Sequence, residues 1–339
     1  MSRLSLLILC ILAPLTVAAG YAADAGQSGP CQVGTLEQTW HDATRNRDVP
    51  VKIYYPAGPA APATSPVIVF SHGLGGSREG YRYLGECWAS HGFVSIHVQH
   101  LGSDSSLLQG PRPLQSLRTA VADPANASNR PRDISFAIDR LTALNADPVF
   151  PLHGRLDLEH LGVAGHSFGA FTTMAVAGEH LPILGANAHA ADPRIKAAIA
   201  MSTPASLGDQ TSAPFEGVRI PVFHMTGTKD GSSGQLFGES ATDGIGNTPA
   251  SARRRPFDHT LHAPAYLLTF SGGDHMVFSG RLATPRPHDL EFQALVCAGS
   301  VAFWNAYLRN DLNARKWLEA GGFATALGQL GTFEQRHPR

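Results

Sequence analysis

Three side chains define the chemistry open to this chain: Ser167, Asp230 and His275, in that order. A serine hydroxyl is a weak nucleophile near neutral pH. It needs a base within hydrogen-bond reach and a third group to orient that base. Ser167 lies in Leu161-Gly162-Val163-Ala164-Gly165-His166-Ser167-Phe168-Gly169-Ala170, a match to the pattern G-x-S-x-G. In that pattern the serine sits on a sharp strand-to-helix turn, flanked by glycines where a Cβ would clash. With 35 glycines in the chain the bare pattern is easily met by chance, so its context decides. Leu161 to Ala164 is a short apolar run suited to a buried strand, and Ala170 to Glu179 is small, apolar and helix-compatible. The N-terminus of that helix would aim free N–H groups at the point where an oxyanion forms, the Phe168 N–H first among them.

Position selects the partners. Asp230 follows the apolar run Pro221 to Thr226, and His275 follows Ala265 to Phe270, so each falls just past the carboxyl end of an expected strand. That is the edge where sites of open α/β sheets collect. The order Ser…Asp…His is the one expected of a nucleophile elbow. Among 16 histidines, His72 and His166 also adjoin motifs, but each is held by its turn and reads as structural. Asp274 adjoins the base too closely to orient it, and Asp258, beside Arg253-Arg254-Arg255, reads as a solvated ion pair. The second oxyanion donor is expected from the turn His72-Gly73-Leu74-Gly75-Gly76, through the backbone N–H of Leu74. A phosphate-binding loop is the weaker reading of that turn, for it has neither Gly-Lys-Ser/Thr nor G-x-G-x-x-G. No cofactor and no metal is implied.

Elements must carry these groups. Val33 to Tyr55 reads as two antiparallel strands with a polar turn from Asp42 to Asp48, and Val67 to Phe70 as a central strand buried on both faces. Tyr81 to His91 reads as a helix closed by Gly92, Phe93 to Val98 as a strand, and Ile134 to Leu144 as a helix capped by Asp133. Ile195 to Met201 is a further buried strand, and Glu291 to Leu308 a closing helix. Strands alternating with helices specify an α/β fold, a mostly parallel doubly wound sheet with helices on both faces. Two segments exceed ordinary connections, Leu101 to Arg130 and Gly231 to Thr260. They read as a lid-like loop or as disorder. Both are poor in large apolar residues, Leu107, Leu108, Leu236 and Phe237 excepted, which favours small esters over lipid interfaces.

Residues 1–23 read as a signal peptide: Arg3, an apolar run from Leu4 to Val17, and small residues at Ala18 and Ala19. The expectation is a secreted or periplasmic protein with no stable membrane anchor. Residues 24–339 read as a single domain with loop insertions near 101–130 and 231–260. A 43% hydrophobic composition allows a sizeable core, and the net charge of −1 gives no reason to expect a nucleic-acid partner. Of the 4 cysteines Cys10 leaves with the signal, so at most one bridge can form. Cys87 and Cys297 could link two core helices, Cys31 could compete if the N-terminal segment folds back, and the bland alternative is that Cys87 and Cys297 are buried small hydrophobes.

Phe70-Ser71-His72-Gly73-Leu74-Gly75, Ala89-Ser90-His91-Gly92-Phe93 and Gly165-His166-Ser167-Phe168-Gly169 resemble the platelet-activating-factor acetylhydrolase branch of the α/β-hydrolases. The bacterial group named "predicted dienelactone hydrolase" is closer, through Arg132-Asp133-Ile134-Ser135, Thr226-Gly227-Thr228-Lys229-Asp230 and Asp274-His275-Met276. The resemblance runs from about Val51 to Leu308. It implies an α/β-hydrolase fold, serine-esterase chemistry on a small-molecule ester, and no metal. True dienelactone hydrolases use a cysteine nucleophile, where this chain has Ser167. A polyester depolymerase or a serine peptidase would use the same three residues. A non-catalytic binding module is disfavoured because all three are present.

Overall fold

The computed structural model describes residues 28–181, 190–204, 211–231, 249–280 and 286–338. The expected signal peptide, and most of the segment from Gly231 to Thr260 with Leu236 and Phe237, lie outside the described residues. Nine strands form one sheet: β1 (Gln32–Asp42), β2 (Arg47–Ala57), β3 (Ser65–Ser71), β4 (Val94–Val98), β5 (Leu156–His166), β6 (Ile195–Met201), β7 (Val222–Lys229), β8 (Ala265–Asp274) and β9 (Gly331–Arg336). Their order across the sheet is β1-β2-β4-β3-β5-β6-β7-β8-β9. The strands from β4 through β8 pair in parallel, and β1, β2 and β9 add antiparallel edges. This is the α/β-hydrolase fold.

Burial explains the pattern. Every residue of β3 is buried, as continuous Val/Ile/Phe runs require when both faces of a parallel strand are covered. β1 alternates instead, with one side toward solvent. On one face of the sheet pack α1 (Arg82–Ser90) and the long α6 (Asp289–Leu308), with Trp88 and Trp304 edge to face at 5.9 Å. On the other pack α3 (Pro124–Asn145) and α4 (Phe168–Ala177). Among the described residues the remaining helices are α2 (Pro113–Ala122), the short α5 (Arg255–His259), α7 (Leu312–Glu319) and α8 (Gly322–Leu327). Cys87 on α1 and Cys297 on α6 form a disulfide, and Cys31 is a free, buried thiol. The bridge closes a loop over a sequence separation of 210, where the chain-entropy account gives a stabilisation of about 5 kcal/mol.

Three expectations are corrected. The segment from Leu101 to Arg130 is not a structureless loop: it holds a 3-10 turn (Ser105–Leu108), α2 and the first turns of α3. Pro124 sits at the first helical position, where its fixed φ and missing N–H cost nothing, and Asp123 caps it by accepting from the Ala125 N–H. Pro131 lies inside the helix and removes one rung, a signal that reads as a break. Helix is kept there by tertiary contacts of the adjoining Arg130, described below. Asp133 is therefore no helix cap but a buried ion-pair partner of Arg45 and Arg47. Beyond Leu308 the chain adds α7, α8 and β9, whose short, half-polar runs gave no signal.

Candidate active site

Ser167 stands between the last residue of β5 and the first of α4, with φ 57° and ψ −118°. No L-residue adopts that conformation without cost, and such strain persists only where the surroundings over-determine it. They do. The Ser167 N–H donates to the Met201 carbonyl on β6 (2.9 Å). A Cβ on Gly165 would run into the Gly169 carbonyl, and one on Gly169 into that of Ser71. The two glycines are what let the elbow close against β3.

His275 and Asp230 converge on this turn. His275 Nε2 lies 2.9 Å from Ser167 Oγ, and His275 Nδ1 lies 2.8 Å from Asp230 Oδ1. With Nδ1–H donating to the carboxylate, Nε2 is left to accept the serine proton. Asp230 is fully buried, and its Oδ2 accepts from Ser202 Oγ (2.6 Å) and Thr226 Oγ1 (2.8 Å). Burial would push this carboxyl up; the hydrogen bond from His275, the Arg253 charge and the Ser202 hydroxyl reverse that and hold it below the usual carboxylate value. All three sequence-selected residues are thus brought together. The competitors are placed elsewhere: Asp258 pairs with Arg254 (2.9 Å), and Asp274 with Arg286.

The side where the sequence places the oxyanion donors is built from other elements. Among the described residues neither the Leu74 N–H nor the Phe168 N–H has a protein acceptor, whereas the neighbouring N–H groups of Gly75 and Gly76 donate to Ser103 and Gly73. Phe168 opens α4, where helix N–H groups are unpaired by geometry and the dipole favours negative charge. Arg130, fully buried on α3, ties this side together. It donates to Thr172 Oγ1 (3.0 Å), Ser103 Oγ (2.8 Å), Ser71 Oγ (3.1 Å) and the His72 carbonyl. Its guanidinium also lies 4.5 Å from the Phe168 ring centroid. Burial lowers it to about 9, so it still carries its charge at neutral pH.

His72 and His166 are structural, as their positions suggest. His72 Nδ1–H donates to the Gly73 carbonyl and Nε2 accepts from the His100 N–H. His166 Nε2–H donates to the His275 carbonyl (2.8 Å), and Nδ1 accepts from Tyr81 Oη (2.8 Å), which itself accepts from the Gly73 N–H (3.3 Å). That chain joins the His72–Gly76 turn to His275 and requires a neutral imidazole. Burial, then repulsion from His275, lowers His166 to about 3.

Sequence reasoning missed four participants: Arg130, Tyr81, Ser202 and Arg253. None lies in a motif, and each acts through a contact distant in sequence. A buried arginine beside Pro131 in an apparent loop carries no signal of its own. Ser202 did have one, as the first polar residue after the apolar strand Ile195 to Met201.

Residues 59–109 match the family model of platelet-activating factor acetylhydrolase, isoform II. The chain is similar to that family of ester hydrolases over this stretch. It spans β3, the His72–Gly76 turn, α1 and β4, and stops before Ser167. No curated protein matches the chain. The match agrees with the resemblance read from the sequence at the His72–Gly76 turn.

Proposed function

We propose that this protein is an exported serine carboxylic-ester hydrolase acting through an acyl-serine intermediate. One observation carries the reading: an unbroken hydrogen-bond chain, Asp230 to His275 to Ser167, ending on a strained serine beside two backbone donors that have no acceptor among the described residues. Ser167 Oγ attacks the ester carbonyl while His275 Nε2 takes its proton. The oxyanion is held by the Leu74 and Phe168 N–H groups. The intermediate collapses, the leaving alkoxide takes the proton from His275, and the acyl group remains on Ser167. Water, deprotonated by His275, repeats the sequence and releases the acid. Asp230 fixes the tautomer and stabilises the imidazolium without being protonated.

Short-chain or small esters are the substrates we infer. Leu108 and Leu117 pack over Gly75 in the oxyanion loop, and Leu108 and Leu114 are half exposed on the 3-10 turn and α2. This offers an apolar shelf for a small acyl or alcohol group, with too little apolar area for firm docking to a lipid surface. No helix among the described residues is long and apolar enough to cross a membrane. Export rests on residues 1–23 alone, and we read residues 24–339 as one domain. The test is a panel of p-nitrophenyl esters from acetyl to palmitoyl, alongside peptide and polyester substrates. kcat/KM should peak at short acyl chains; a steady rise to palmitoyl, or faster turnover of peptide or polyester, would replace this substrate class.

A further inference from the structure

Arg253 belongs to a 3-10 turn (Ala250–Arg254) at the far end of the long connection that begins at Gly231. Its side chain is buried and points back at the acid. Nη1 donates to the Ser202 carbonyl at the end of β6 (2.7 Å), and Nε donates to the Asp230 main-chain carbonyl (3.1 Å). Nε also lies 3.4 Å from Asp230 Oδ1, the oxygen that accepts the hydrogen bond from His275 Nδ1–H, and Nη2 lies 3.5 Å from His275 Nδ1. The guanidinium therefore touches both partners of the acid–base pair. A buried arginine that only closed a loop would need the two carbonyls and no approach to the carboxylate.

We propose that Arg253 is a fourth member of this site: a buried cation that positions the Asp230 loop and extends to lower pH the range in which His275 remains a free base. It rests on the reading of His275 as the base. The charge balance around His275 supports the sign. Facing it are Asp230 from the end of β7, Arg253 from the 3-10 turn, and from the elbow His166, its ring centroid 4.8 Å from that of His275, and Ser167, its Oγ 2.9 Å from Nε2. His166 is neutral, and Asp274, on the same element as His275, is occupied by Arg286. Among the described residues one anion and one cation thus act on His275 at contact distance. Without Arg253 the Asp230 charge would act alone and hold the imidazolium more firmly. The arginine also shares Asp230 Oδ1 with His275, which keeps the carboxylate ionised and in register.

The closing experiment reads protonation directly. Ring nitrogen shifts of His275, assigned by difference against His275→Gln, are followed by NMR from pH 4 to 9 in the full chain. Arg253→Gln removes the charge and keeps a donor for the carbonyls; its His275 midpoint should rise by about one pH unit. The acid limb of kcat/KM should move with it. Arg253→Lys, which keeps a cation, should stay within about 0.3 unit of the wild type. A folded Arg253→Gln variant with an unmoved midpoint overturns the proposal. Should that variant fail to fold, Arg253→Lys decides: a kept midpoint with lowered kcat and unchanged KM supports it, and a midpoint raised by a full unit despite the retained cation overturns it. The NMR midpoint moves or stays whether or not the protein hydrolyses an ester, so a failure of this proposal is distinguishable from a failure of the ester-hydrolase reading.

Discussion

Two buried polar clusters flank Ser167, and they are built on opposite terms. On the β7–β8 side Asp230 and His275 form a chain with a free end, aimed at Ser167 Oγ. On the β3–β4 side Arg130, Asp133, His100, His72 and Ser71 form a closed network. His100 bonds both Asp133 (3.0 Å) and Ser71 Oγ (2.9 Å), and Arg47 and Arg45 close Asp133 from outside. Burial would push the Asp133 carboxyl up, yet hydrogen bonds from His100 and Arg47 hold it at about 2. On the proposed reading the first cluster passes a proton, whereas the second keeps its protons and fixes a loop. Polar burial is costly in either case; the open end is what separates chemistry from scaffolding.

Substitutions can break this contrast. Asp230→Asn should leave the fold intact and cost roughly ten-thousand-fold in kcat, because the amide favours the wrong His275 tautomer. Asp258→Asn and Asp274→Asn should change kcat by less than about threefold, since exposed ion pairs contribute little. If either of those does the damage and Asp230→Asn does not, the open chain has been assigned to the wrong acid. Arg130→Met acts on the other cluster. It leaves the His72 carbonyl unpaired and frees the Leu74 turn from Phe168, so kcat should fall on the order of a hundredfold, the loss of one oxyanion donor. Because Arg130 also anchors α3, its melting temperature is measured beside kcat. A folded variant with unchanged kcat would show that the network does not set the oxyanion geometry.

A smaller effect concerns acid. Burial holds His97, His166 and His224 at about 3 and His100 at about 4. These folded values lie below the unfolded value of 6.5, so below that pH the unfolded chain binds protons that the native one refuses. Stability is then full above about pH 6.5 and falls as pH drops toward 4. Each histidine withdraws on the order of 2 kcal/mol by pH 5. Urea midpoints at pH 7.5, 6 and 5 should decline in that order; a flat series would mean these rings are hydrated in solution.

The open cluster was legible in the sequence and the closed one was not. Ser167, Asp230 and His275 each follow an apolar run, and strand ends place them on one edge before any coordinates are known. The glycines at 165 and 169 mark a turn that only they can make. Arg130 gave no signal and Asp133 reads as a helix cap: a polar, proline-bearing stretch reads as loop, and the contacts that make it helix come from β3, α4 and the β1–β2 turn. Arg253 was read as part of a basic, solvated run, because three consecutive arginines hide the one that turns inward. Counting allowed one bridge at most; that it joins Cys87 to Cys297 depends on α1 and α6 sharing a face of the sheet. Such features belong to packing between distant segments, which periodicity and motif spacing do not encode.

The central claim is that Ser167 is the nucleophile. An alkyl fluorophosphonate should react once per chain, and peptide mass mapping should place the adduct on Ser167. Ser167→Ala should abolish both labelling and turnover, with a loss on the order of a million-fold and an unchanged melting temperature. An adduct on any other residue, or labelling and turnover that survive in a folded Ser167→Ala variant, would contradict it.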